Sequence, residues 1–143
     1  MLNFELVTLE GIKFRESVHE ALLPTALGQI GVFTNHAPLV SLAAPGIVSL
    51  RRKPSDPDDF MEHFALSGGV IEIVDNTVRV LSDEATHSDE INEAEETAAH
   101  TRALKLQSEA KDNVSLEKAQ SLIDRQAVRL KVAGLRRHGK HKR

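Results

Sequence analysis

The chain has 143 residues, of which 41% are hydrophobic and 27% charged, with a net charge of −3 and no Cys, Trp or Tyr. This length fits one domain, or one small domain with an appendage, and the missing cysteines exclude disulfides and cysteine-ligated zinc or iron–sulfur sites. No run of about 18 apolar residues is present, so no membrane-spanning helix is expected. The start "MLNFELVTLEG" lacks the basic and apolar segments of a signal peptide, which reads as a soluble, cytoplasmic chain.

The charge is unevenly spread. Residues 1–81 hold ten acids and six bases, residues 82–112 nine acids and three bases, and residues 113–143 two acids and nine bases. The last two stretches therefore carry −6 and +7, so they attract each other or the last one meets an acidic partner.

In chain order, "NFELVTL" alternates in the period of a half-buried strand, with Phe4, Leu6 and Thr8 on one side. The runs "SVHEALLP", "IGVF", "APLVSL", "GIVSL" and "HFALSGG" follow, separated by Gly, Pro, Asn and Asp as in a sandwich or barrel. "RRKPSDPDD" reads as an exposed loop at a sheet edge. "VIEIVDNTVRVL" is the clearest hairpin: Asp75 and Asn76 tolerate positive φ at its turn, while Ile71, Ile73, Val78 and Val80 can share a face.

Past Ser82 the composition turns to helix formers, with no Pro and no Gly from Ser88 until Gly134. Ser88 is the expected N-cap of a first helix, whose stripe is Ile91, Ala94, Ala98, Ala99, Ala103, Leu106 and Ala110. Ser115 is expected to cap a second, with the stripe Leu116, Ala119, Ile123, Ala127, Leu130 and Ala133, and Gly134 to loosen it. The short connection predicts an antiparallel hairpin that leans on the sandwich or on a partner and can change position.

Catalytic chemistry is hard to find. "SGG" at Ser67 lacks the G-x-S-x-G frame of a nucleophile elbow and reads as a bulge or tight turn. The seven histidines have no H-x-x-x-H spacing, and a metal-dependent enzyme built on His36 and His63 would be a further alternative. Gly28 and Gly31 make no phosphate-binding loop. The basic C-terminus has no interleaved aromatics, and an acidic protein surface suits it better than nucleic acid. Arg125, Arg129 and Arg136 fall along one side of the second helix.

Two segments carry a family resemblance: "LPTALGQIGVFTNHAPLVSLAAPGIVSL" at 23–50 and "FALSGGVIEIVDNTVRVLSDEA" at 64–85. In order and motif they closely resemble the ε subunit of F-type ATP synthases, and the helical remainder fits in character and position. The resemblance implies an α+β chain: an antiparallel β-sandwich of about ten short strands over 1–86, then a two-helix hairpin with a basic tail over 87–143. It implies a non-catalytic rotor subunit without metal or cofactor, on the cytoplasmic face of the bacterial plasma membrane. Its partners there are the γ subunit, the c-ring and, through the helices, the catalytic β (and α) subunits.

On this resemblance Gly28, Gln29, Ile30, Gly31 and His36 form a turn facing the c-ring, with Gln29 where the family usually has an acid and His36 as a turn-stabilising residue. Arg125, Arg129, Lys131, Arg136 and Arg137 are the expected inhibitory contacts to the catalytic β subunits. The ATP-binding motif of some bacterial members, Ile/Leu-Asp-x-x-Arg-Ala, is degenerate here: Asn92 replaces Asp, Glu95 replaces Arg and Glu96 replaces Ala. Each added carboxylate repels a triphosphate by about 1 kcal/mol near a surface, so ATP binding is expected to be absent or very weak. The alternative reading is a free-standing β-sandwich module that recruits an acidic protein partner.

Overall fold

The computed structural model describes residues 1–141, with side chains to residue 135. Ten strands come first: β1 (Leu2–Thr8), β2 (Gly11–Val18), β3 (Glu20–Thr25), β4 (Gly28–Phe33), β5 (Leu39–Ala43), β6 (Gly46–Arg51), β7 (Glu62–Leu66), β8 (Gly69–Val74), β9 (Thr77–Leu81) and β10 (Ala85–His87). Helices α1 (Glu93–Glu109) and α2 (Asn113–His141) follow. This is the expected sandwich followed by two helices.

Hydrogen bonding runs β10-β7-β6-β3-β5-β8-β9-β1-β2, with β4 added beside β3. Only the pair Thr25 and Ala43 joins β3 to β5, so the path folds there into two layers. Every pairing is antiparallel except β1 with β9. Alternation decides which side chains meet between the layers. Leu2, Phe4 and Leu6 from β1 face Leu23, Val48, Leu50 and Phe64 from the other layer in one core. Phe14 bridges them, its ring 6.1 Å from Phe4 and 5.4 Å from Phe64.

The β8–β9 hairpin forms as its sequence predicts, with Ile71 opposite Val80 and Ile73 opposite Val78. Asp75 and Asn76 have φ of 47° and 59°, the double positive φ of a type I′ turn. "SGG" is a strand entrance: Gly69 has φ +136°, and a Cβ there would lie 1.9 Å from the Leu81 carbonyl oxygen. Only glycine fits that close approach.

Several expectations are corrected. "SVHEALLP" divides at His19 into the end of β2 and the start of β3. The 52–61 loop joins two adjacent, hydrogen-bonded strands, β6 and β7. It contains a 3-10 turn, Asp58–Phe60, which packs against α2. Arg51 holds the loop by donating from Nε to Glu20 (2.8 Å) and from Nη2 to Asp58 (2.6 Å). Arg52 donates to Glu16 and Glu62.

The helix starts also differ. Ser88–Glu90 is a 3-10 turn, and the N-cap of α1 is Asn92, whose side chain accepts from the Ala94 and Glu95 N–H groups. Buried Ile91, ahead of the cap, anchors the chain and delays the helix. Asp112, not Ser115, caps α2: its carboxylate accepts the Ser115 N–H at 2.7 Å, and this bond pulls its pKa below the ordinary carboxylate value. Gly134 does not interrupt α2.

The α1 stripe holds in part: Ile91 and Ala103 are buried and Ala99 and Ala110 half-buried, but Ala94, Ala98 and Leu106 face solvent, while Glu96, outside the stripe, is buried and His100 and Gln107 are half-buried. Across the seam Gln107 donates to Gln120 at 2.6 Å. The α2 stripe holds at Ala119, Ile123, Leu130 and Ala133, but Leu116 and Ala127 are exposed.

Candidate functional site

The residues expected to face a ring do not form one turn. Gly28, Gln29, Ile30 and Gly31 are the first four residues of strand β4, paired to β3 with Thr25 opposite Gly28. The turn itself is Ala26–Leu27, closed by the Thr25 hydroxyl donating to the Gly28 carbonyl at 2.6 Å. Gly28 takes φ +124°, which lets the strand start directly after that turn. Gln29 is exposed, and Ile30 packs against the core.

His36 lies in the loop that follows β4, whose far end, Phe33, is already about 16 Å of extended chain from Gly28 at ~3.3 Å per residue. Its Nδ1 contacts the Ala37 carbonyl oxygen at 2.6 Å, and its backbone N–H donates to Phe33. Leu27, at the tip of the β3–β4 hairpin, is fully exposed and was missed in the sequence reading. Its signal is an apolar residue inside a two-residue turn.

An apolar outer face lies on the other layer. Val40 and Leu42 on β5 point away from the core and are 73% and 70% exposed. Leu42 pairs with Val70, and Val70 with Leu81, so the row continues across β8 and β9, with Val74 further along. An open cleft of about 370 Å³ runs beside it between Pro38–Val40 and Glu72–Val74. The alternation encodes this row, but the run "APLVSL" does not say which face is left uncovered.

The predicted cationic residues sit on α2. Arg129 Nε donates to Glu96 at 2.6 Å, and its Nη1 to Glu84 at 3.3 Å and to the Thr86 hydroxyl at 3.0 Å. Arg125 lies 3.5 Å from Glu84, and Lys131 is exposed. Arg136 and Arg137 lie outside the residues whose side chains are described. Next to the arginines, Val132 and Ala133 pack with Val128 on Ile47, Ala65 and Ile91. The helix thus rests on β6 and β7 through a small apolar contact flanked by ion pairs.

The degenerate motif is accounted for residue by residue. Asn92 is the cap of α1, Glu95 is exposed, and Glu96 is buried at 8% exposure against Arg129. Glu84 was missed as a partner; its signal was the acidic stretch before the helices.

No catalytic constellation assembles around Ser67. Its hydroxyl lies 3.2 Å from that of Ser82, donates to the Glu84 carbonyl and accepts the Glu84 N–H, which pins the exit from β9. His63 Nδ1 contacts the Ser49 hydroxyl at 2.8 Å, and burial, then the charge of His87, lowers its pKa. Among the described residues no group of three or more His, Cys, Asp or Glu is placed to hold a metal, and no helix is long and apolar enough to cross a membrane.

Comparison with known proteins adds the family. Residues 1–88 match the model of the ATP synthase Delta/Epsilon chain β-sandwich domain. The ATP synthase epsilon chain of Syntrophomonas wolfei is 34% identical over 90% of this chain and 91% of its own length. That of Herpetosiphon aurantiacus is 31% identical over 96% and 97%. Among solved structures, a chain of the Euglena gracilis mitochondrial ATP synthase superposes with a TM-score of 0.76 at 21% identity, over 91% of this chain and 79% of that one. A chain of the Tetrahymena thermophila mitochondrial ATP synthase, from a structure of its central stalk and c-ring, gives 0.57 at 13% identity, over 90% and 93%. With its sandwich matched by the family model and nearly its whole length by epsilon chains, the chain belongs to the ATP synthase epsilon-chain family.

Proposed function

We propose that the chain is a non-catalytic rotor subunit, peripheral on the cytoplasmic face of the membrane, that couples rotation of a proton-driven c-ring to the catalytic head. In this reading residues 1–86 dock on the γ subunit and the c-ring, and residues 87–143 restrain ATP hydrolysis by meeting the catalytic β and α subunits. The observation that carries it is the uncovered apolar row from Val40 and Leu42 to Val70 and Leu81, since contiguous apolar surface on a sandwich marks a protein contact. The γ subunit is the partner assigned to this row. The β3–β4 tip, with Leu27, Gly28 and Gln29, and the His36 loop at the opposite end of β4 are two separate candidate contacts with the ring. Arg125, Arg129, Lys131, Arg136 and Arg137 are the side chains proposed to reach an acidic surface once α2 leaves the sandwich. The free-standing module is set aside, because the relatives matched along the whole chain are epsilon chains.

The test is ATP hydrolysis by the cognate catalytic head with γ, titrated with this chain or with a version ending at Ser88, which keeps β10. Inhibition by the full chain alone, with both forms bound, supports coupling by the sandwich and braking by the hairpin. Binding of both without inhibition removes the brake. A Leu42→Asp variant is expected to lose about tenfold in affinity for γ, since a charge then sits in the centre of the apolar row. Unchanged affinity moves the docking face elsewhere.

A further inference from the structure

The hairpin rests on little apolar surface. Its satellite core against the sandwich has four buried residues, Ala65, Ile91, Val132 and Ala133, and the half-buried positions of the helices include the polar residues His100, Gln107 and Gln126. Something else must hold it in the folded-back position.

Arg129 is placed to do so, because one guanidinium ties three elements together. It reaches Glu96 on α1 and both Glu84 and Thr86 on the segment that leaves the sandwich. It sits one turn before Val132 and Ala133, so the ion cluster and the apolar contact make one docking site. The Arg129 and Glu96 side chains keep only 19% and 10% of their exposure, while Glu84 and Arg125 stay about half exposed at 45% and 47%. Glu96 Oε2 is buried without a hydrogen-bond partner, so its carboxylate depends on Arg129 for compensation. A buried charge deprived of its counter-charge is costly, whereas the outer pair with Glu84 is easily exchanged.

We infer that Glu84 and Glu96 are a built-in latch that holds the hairpin on the sandwich by occupying Arg125 and Arg129. These are the arginines that the proposed function directs at an acidic partner, and the inference rests on that reading for their second use. The two uses compete, because Arg129, with Nε on Glu96 and Nη1 on Glu84 and Thr86, lies only 19% exposed in the folded-back position, and Arg125 is engaged by Glu84. Releasing α2 leaves Glu96 on α1 without its cation, and the freed arginines gain a partner only if an acidic surface is present. Since both carboxylates belong to the chain, the closed state needs no bound ligand, and Arg129 acts as its positioning residue.

Amide hydrogen exchange on the full-length chain tests this, with the strands β1–β9 as internal control for folding. In Glu84→Ala/Glu96→Ala, α2 amides over 116–135 are expected to exchange about tenfold faster while the strands keep their protection. Arg129→Met, which leaves Glu96 buried and unpaired, is expected to loosen α2 further. If α2 exchange is unchanged in both variants, the latch is overturned. In the hydrolysis assay the double alanine variant is expected to inhibit at lower concentration than the parent chain. Faster exchange without any change in inhibition supports the latch and removes the inhibitory role of the arginines, so the two readings fail separately.

Discussion

The sandwich and the hairpin are stabilised by different means. Seventeen buried residues form the sandwich core, among them Phe4, Phe64, Leu23, Leu50 and Ile71 at 1% exposure or less. Each such side chain contributes about 1.5–3 kcal/mol on burial, and ladders in both layers hold the backbone around them. The hairpin docks through Ile91 and Val132 as its only large buried side chains among the described residues, with arginine–carboxylate pairs beside them. Apolar burial has no alternative partner of comparable quality in water. An ion pair has one wherever another opposite charge is offered. The part that must stay fixed is therefore built from the first, and the part proposed to move depends on the second.

The largest test of this contrast is Phe64→Ala. It leaves a void between the layers and should cost about 3–5 kcal/mol, read as an earlier denaturation midpoint of the strands. A loss confined to the helices would break the comparison. Val132→Ala is smaller: two methyl groups leave the satellite core, at ~0.8 kcal/mol for each group of that size. Its effect should appear in α2 exchange and leave the strand midpoint almost unmoved.

The smallest effect is the pH response of His63. Its folded pKa is lowered by burial, so the unfolded chain takes up the proton first as pH falls. Its contribution is full above the ordinary histidine value and is lost as pH drops from there through the lower folded value. Denaturation midpoints from pH 7.5 to 5 should decline in the parent chain and flatten in His63→Gln. An equal decline in both excludes His63 as the source.

Much of the sandwich is legible in the chain itself. Alternation in 2–8 and 70–81 has one reading, because slipping a strand by one residue turns its whole apolar set to solvent. The Asp75–Asn76 turn is equally explicit. The first helix is ambiguous for the opposite reason. Alanines at 94, 98, 99, 103 and 110 support several stripes of similar quality, since alanine carries little apolar area on any face. What selects the buried face is Glu96, which sequence periodicity assigns to solvent and Arg129, 33 residues away, draws inward. Caps fail similarly: Ser88 and Ser115 are good candidates by type, but buried Ile91 and the geometry of the helix connection hand the role to Asn92 and Asp112.

By itself the sequence determined the order of the two architectures, the register of the hairpin at 69–81, the charge reversal between the two helical segments and the motifs that mark the epsilon-chain family. These depend on local period, turn chemistry and composition, which need no knowledge of distant neighbours. Tertiary structure alone decided that the strand containing "IGVF" begins already at Gly28, that Val40 and Leu42 lie on an uncovered face, and that Arg129 is held by Glu84 and Glu96. Those outcomes depend on which surfaces the folded layers leave open and which charges they bring within hydrogen-bonding distance, and both are set by contacts between residues far apart in the chain.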